Sequence, residues 1–272
     1  MDVSFTVARG QALGLVGPGG AGKSIALRML AGLVEPTSGR VTIGGDAAHT
    51  RSARRRIGYL AQGAPMDADA RVTPYLRTLC RLRGVAPALH QARIDAALDR
   101  CGLGDCRHEV IRRLPADLRR RVGLAQAVVH GPDALLLDEP GPDAELIAAL
   151  GRERALVLSG DAVANVSGVC GRVLVLDAGR VVADETPEAL RSRPRVEVVV
   201  VVRGDASAAE RHVRDVAGVS AVTVEALDGG DHRLTATGDR EDLQDAIARA
   251  IVAHGLALRE LSSRQAPPDG TG

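Results

Sequence analysis

Residues 12–33 read ALGLVGPGGAGKSIALRMLAGL, and this stretch decides the fold. The apolar run 12–16 predicts a buried strand. Residues 25–33 carry apolar side chains at helical spacing: Ile25, Leu27, Met29, Leu30 and Leu33. Between them lies a glycine loop, Gly17-Pro18-Gly19-Gly20-Ala21-Gly22-Lys23-Ser24. Strand, glycine loop and helix together predict a P-loop. The glycines let backbone N–H groups converge on phosphates, and the helix N-terminus adds its positive end, with Ile25 closing the contact set. Lys23 is expected to reach the β- and γ-phosphates, and the Ser24 hydroxyl is placed for Mg²⁺. The competing reading is a glycine-rich turn that merely joins strand to helix. Lysine usage argues against it: of 35 Lys and Arg residues, only Lys23 is lysine. A compact ammonium stands at the one position where a point charge among phosphates is wanted.

Working outward, residues 134–140 read ALLLDEP, an apolar strand that delivers two carboxylates at its C-terminal edge. Ligands of parallel α/β sheets bind at that edge. Asp138 can hold Mg²⁺, directly or through water, and Glu139 can polarise an attacking water. The nucleotide is expected to be ATP with Mg²⁺.

Composition bounds the rest. The 272 residues carry a net charge of +1, which gives no sequence-independent hold on nucleic acid. No apolar run is long enough to cross a bilayer, and the most apolar, residues 196–202, is short and contains Glu197. With no signal pattern at the N-terminus, the expected location is the cytoplasm. Cys80, Cys101, Cys106 and Cys170 form no CxxC pair and read as free thiols. Cys101, Cys106 and His108 fit no standard zinc spacing. Only Phe5, Tyr59 and Tyr75 are aromatic, so the core must be aliphatic.

Taken together, these motifs resemble the ATP-binding subunit of an ATP-binding-cassette (ABC) transporter, over residues 1–190. EPTSG at 35–39 looks like that family's turn before a strand at 41–43. RIGYLAQ at 56–62 looks like its Q-loop, which would make Gln62 a link between Mg²⁺, the attacking water and the membrane partner. Helices expected at 75–83 and 89–101 match its helical subdomain, about residues 72–125. RVGLAQA at 121–127 and DAGRVVADETPEAL at 177–190 are again close to family wording, nearest the drug-export and gliding-motility branch. The resemblance implies an α/β P-loop NTPase core, a separate multi-span permease as partner, and a homodimer or a heterodimer with another ATP-binding subunit. It also implies a peripheral position on the inner face of the cell membrane. A soluble cassette protein acting on DNA or ribosomes would need insertions and a basic surface that this sequence lacks.

Departures from the family pattern bear on mechanism. The signature segment falls at Leu114-Pro115-Ala116-Asp117-Leu118. Pro115 offers neither hydroxyl nor N–H, Ala116 adds a methyl group, and Asp117 adds a negative charge. Proline and aspartate suit a helix start that caps itself rather than one that binds an anion. At the family's switch histidine stands Asp161, whose carboxylate is expected to repel a γ-phosphate, by about 4 kcal/mol at ~4 Å and an effective dielectric of ~20. Gly141-Pro142-Asp143 is a poor match to the D-loop, for which Asp143 or Glu145 are the available carboxylates. Met1 falls where the family's second strand begins, which a start codon assigned too late would explain. Alternation over residues 3–7 predicts a strand with Phe5 in the core.

Residues 187–194 are polar, with two prolines, and read as a linker. Beyond them the pattern is strand 195–203, helix 206–216, strands 219–226 and 232–237 around Gly229-Gly230, helix 241–254 and strand 256–261. That order is ferredoxin-like, giving a small α+β domain over 195–264 that resembles the C-terminal domain of the same exporter branch. A disordered tail is expected at 265–272. The basic runs 51–56 and 119–121 read as solvated faces, and the seven histidines show no ligand spacing.

Overall fold

Parallel strands buried on both faces need near-continuous apolar runs, and this chain supplies them. The computed structural model describes residues 3–192, 196–216, 218–238 and 242–265. The chain divides into two units, Met1–Pro187 and Glu188–Gly272.

The first unit opens with β1 (Ala12–Val16) and α1 (Lys23–Leu30), then a two-residue hairpin, β2 (Thr42–Ile43) and β3 (Asp46–Ala47), and α2 (Arg51–Arg55). β4 (Ile57–Leu60) leads into three longer helices, α3 (Val72–Leu82), α4 (His90–Arg100) and α5 (Ala116–Val128). Then follow β5 (Ala134–Leu137), α6 (Ala144–Gly151), β6 (Ala155–Gly160), the single turn α7 (Val163–Val166), β7 (Arg172–Asp177) and β8 (Arg180–Glu185). The sheet order is β4-β5-β6-β1-β7-β8, parallel except for β8. Leu13, Leu15, Leu27, Ile57, Leu136, Val157, Leu174 and Leu176 fill its core. Branched aliphatics interdigitate there without aromatics, and Phe5 and Tyr59 pack at its border.

One expectation for this unit fails. Residues 3–7 form no strand. Val3, Phe5 and Val7 do turn inward onto the core while Ser4 and Thr6 stay exposed. Alternation fixes which side chains turn in, whereas a strand also requires a laddered neighbour.

α8 (Pro187–Arg191) starts on the last residue of the first unit and continues into the second. The stretch expected as a linker therefore starts as a helix, because a proline is tolerated at the first helical position. Residues 193–195 lie outside the described residues. β9 (Val196–Arg203), α9 (Ala206–Arg214), β10 (Val219–Ala226), β11 (Asp231–Gly238), α10 (Leu243–Ala253) and β12 (Ala257–Gln265) follow. They build an antiparallel sheet in the order β10-β11-β9-β12, the ferredoxin-like arrangement. Asp205 caps α9 by accepting from the Ser207 and Ala208 N–H groups. Val198, Val200, Val202, Leu234, Ile247 and Ile251 form a separate core. Gln265, expected to open a disordered tail, instead pairs with Val196 at the end of β12. Residues 266–272 of that expected tail lie outside the described residues.

Candidate nucleotide site

Gly17 directly follows β1 and has no room for a side chain. Its φ is +153°, and a Cβ there would sit 2.1 Å from the Leu176 carbonyl oxygen. Pro18, Gly19 and Gly20 are exposed at the loop's crest, and Ala21 is buried beneath it. Gly22, at φ 102°, is the N-cap of α1, so the first-turn amides of Lys23, Ser24 and Ile25 have no intrahelical acceptor. Ile25 itself is 47% exposed.

The other groups arrive by parallel register. Leu60 is level with Leu137, and Leu137 with Leu158, so the residues just past these strand ends stand side by side. The Asp138 N–H accordingly donates to the Leu60 carbonyl at 2.8 Å. The Gln62 amide donates to a Glu139 carboxylate oxygen at 2.7 Å. Ser159, 2% exposed at the end of β6, was not singled out by sequence reasoning, yet it ties the group together. Its hydroxyl donates to Asp138 Oδ1 at 2.7 Å and accepts the Glu139 N–H at 3.0 Å. The Ser24 hydroxyl donates to the same Asp138 oxygen at 3.1 Å. Glu139 occupies the left-handed region at φ 48°, which turns its side chain toward Gln62 at some conformational cost.

Asp138 supplies a test of the expected Mg²⁺. The residue is 1% exposed, and its Oδ2 is buried without a hydrogen-bond partner. A fully buried carboxylate oxygen left bare is costly unless a cation faces it. Among the described residues no group of three or more His, Cys, Asp or Glu side chains could form a metal cage. Mg²⁺ needs no such cage, since one or two carboxylates with nucleotide phosphates and waters suffice. The donor set Asp138, Ser24 and Gln62 fits that ion.

Register also explains the switch position. Val16 is level with Gly160, which sets Gly17 beside Asp161 at the strand ends. Lys23, only 6% exposed, donates to the Gly17 carbonyl at 2.6 Å, the Pro18 carbonyl at 3.2 Å and Asp161 Oδ1 at 2.8 Å. Asp161, expected from its charge to oppose a phosphate, is thus already the partner of Lys23.

The signature segment behaves as a self-contained helix start. Pro115 is the N-cap of α5 and makes no side-chain cap, Asp117 lies in the first turn, and Ala116 is exposed. Arg119 folds back to donate to the Leu114 carbonyl at 2.6 Å. Asp143, at the start of α6, pairs with Arg121 at 3.3 Å. Burial pushes the Cys101 and Cys170 thiols up to about 12, and both are free. Among the described residues no helix is long and apolar enough to cross a membrane.

A glycine loop joining β1 to a helix, with a carboxylate at the end of β5, one strand removed in the same parallel sheet, defines a P-loop nucleotide-binding protein. The family model described as "ABC transporter" matches residues 1–141, and the chain belongs to that family, whose ATP-binding domains are ATPases that generally work with Mg²⁺. Nod factor export ATP-binding protein I of Cupriavidus pinatubonensis is 32% identical over 216 residues, covering 75% of this chain and 66% of that protein. Daunorubicin resistance ATP-binding protein DrrA3 of Streptomyces coeruleorubidus is 29% identical over 280 residues, covering 97% of this chain and 86% of that one. The solved structure of an ABC transporter ATP-binding subunit shares the fold at a TM-score of 0.62 and 24% identity, over 70% of this chain and 84% of the other.

Proposed function

We propose that this chain is the ATP-binding subunit of an export transporter, peripheral on the cytoplasmic face of the membrane beside a separate multi-span permease. The likeness to a Nod factor export ATP-binding protein, and the match to the daunorubicin resistance protein DrrA3 over 97% of this chain, support the assignment. In this reading the backbone N–H groups of residues 19–25 hold the phosphates, and Lys23 offsets their charge. Mg²⁺, when bound by Ser24, Asp138 and Gln62 together with the nucleotide, neutralises charge on the phosphates. Glu139 takes a proton from a water that attacks the γ-phosphorus. The bond to the bridging oxygen breaks, and ADP and phosphate leave. Two subunits are expected to close head-to-tail, as a homodimer or with another ATP-binding subunit.

The observation that carries the nucleotide assignment is the linked set Ser24–Asp138–Ser159–Glu139–Gln62 beside the loop. A second reading, a hydrolysis-poor subunit that completes or regulates a transporter, is favoured by Pro115, Ala116 and Asp117 at the signature and by Asp161 on Lys23. In a homodimer both composite sites would carry the same substitutions. We therefore expect ATP binding with slow turnover. Steady-state phosphate release by the whole chain and by its Glu139→Gln variant tests this. Slow release abolished by the substitution is the expected result. Brisk release abolished by it would overturn the hydrolysis-poor reading, and failure to bind labelled ATP would overturn both.

A further inference from the structure

We propose that Asp161 is an internal stand-in for the terminal phosphate of a nucleoside triphosphate, and that it biases the site toward the diphosphate. This deepens the nucleotide-binding reading above and rests on it.

Lys23 has three N–H donors and all three are used, by Gly17 O, Pro18 O and Asp161 Oδ1. A phosphate can reach the ammonium only by replacing one of these acceptors. The two carbonyls belong to the loop itself, where the Gly17 backbone runs close to Leu176: a Cβ on Gly17 would sit 2.1 Å from the Leu176 carbonyl oxygen. Asp161 is different. It sits in the turn between β6 and α7 and is 69% exposed, whereas Lys23 is 6% exposed. The exposed carboxylate is the replaceable acceptor, and it already supplies a phosphate's role: a negative oxygen 2.8 Å from the buried cation.

The consequence differs between nucleotides. With the lysine charge cancelled, the attraction left for phosphates comes from loop amides and the N-terminus of α1. Those groups suffice for the two phosphates of a diphosphate. A triphosphate brings one more phosphoryl group to Lys23, where it must either displace Asp161 or lie against its carboxylate. Either course costs affinity that a diphosphate keeps. A histidine at this position would donate to the same oxygens, so the substitution reverses the sign of the interaction at one point.

The test uses the full chain with Mg²⁺ and fluorescent analogues of ADP and of the non-hydrolysed imido triphosphate. Wild type is compared with Asp161→Asn, which keeps an oxygen for Lys23 but loses the charge, and with Asp161→Ser, which removes the group. Wild type is expected to bind the diphosphate more tightly. Solvent screening at an exposed carboxylate limits the effect, so both variants should raise triphosphate affinity relative to diphosphate by about tenfold. Diphosphate affinity itself should stay within about threefold, since the loop amides and the N-terminus of α1 hold its phosphates. An unchanged ratio in both variants would overturn the proposal while leaving nucleotide binding intact. Failure of the wild type and both variants to bind either nucleotide would overturn the nucleotide-binding reading and this proposal with it.

Discussion

Ser159→Ala is the substitution whose effect follows most directly from the geometry. It deletes a hydroxyl that donates to the buried Asp138 carboxylate and accepts the Glu139 N–H. A hydrogen bond to a charged group is worth about 1.5–3 kcal/mol, and a buried N–H left without an acceptor costs about 1–3 kcal/mol. Together these span about 2.5–6 kcal/mol, and relaxation around a deleted oxygen keeps the total near the lower end, about 3 kcal/mol. For a unit of this size that corresponds to a fall of roughly 6–12 °C in melting temperature. Denaturant titrations of wild type, Ser159→Ala, Asp138→Asn and the double variant close a thermodynamic cycle. The coupling between the two residues should be about 1.5–3 kcal/mol, since they share a charged contact. Mg²⁺ with ADP should shrink the Ser159→Ala loss, because a cation then faces Asp138. A single-variant loss below about 1 kcal/mol, or additive effects of the two substitutions, would refute the idea that Ser159 holds the carboxylate in place.

Two further outcomes are expected. Gly17→Ala should abolish binding of labelled ATP and destabilise the protein by more than about 2 kcal/mol, because backbone meets the new Cβ at 2.1 Å at a φ few side chains adopt. A folded variant that binds ATP normally would contradict the loop geometry. His130 concerns acid stability. Its Nε2 donates to the Ile57 carbonyl at 3.0 Å, and its Nδ1 is buried without a partner. Burial first, then the nearby Arg83, pushes its pKa down from 6.5 to about 4. The unfolded chain therefore takes up a proton near pH 6.5 that the folded chain refuses until about pH 4. The stability it confers is complete above pH 6.5 and is lost as pH falls through 4, about 3 kcal/mol in all. Urea midpoints at pH 7.5 and 4.5 should show a smaller acid loss for His130→Gln than for wild type; equal losses would remove His130 as the cause.

What the sequence revealed was whatever is local along the chain. The strand, glycine loop and helix of residues 12–33 are contiguous, and the acids ending residues 134–139 stand out against an apolar run. Ser159 carries no such mark: in ALVLSG it reads as the polar end of a strand. It becomes functional only because Leu158 is level with Leu137, a fact of pairing between residues about twenty apart. The misread segments fail for the same reason from the other side. Residues 3–7 have a strand's alternation and no ladder, and Pro187 looks like a breaker until it is seen at the first turn of a helix.

Taken alone, a carboxylate where the family keeps histidine should repel a γ-phosphate. Lys23 and Asp161 would then be separate influences on the ligand. The β1–β6 register makes them influences on each other, because residues 17 and 161 leave adjacent strand ends together. If Lys23 is the phosphate ligand proposed above, the 2.8 Å ion pair sets two terms at once: it withdraws the cation from the phosphate and puts an anion where the last phosphate would lie. Restoring Asp161 to a neutral residue should relieve both, whereas repairing the signature of an opposing subunit would relieve neither. Pairing with an intact partner therefore cannot by itself make this subunit's own P-loop an ordinary triphosphate site; the determinant travels with residue 161.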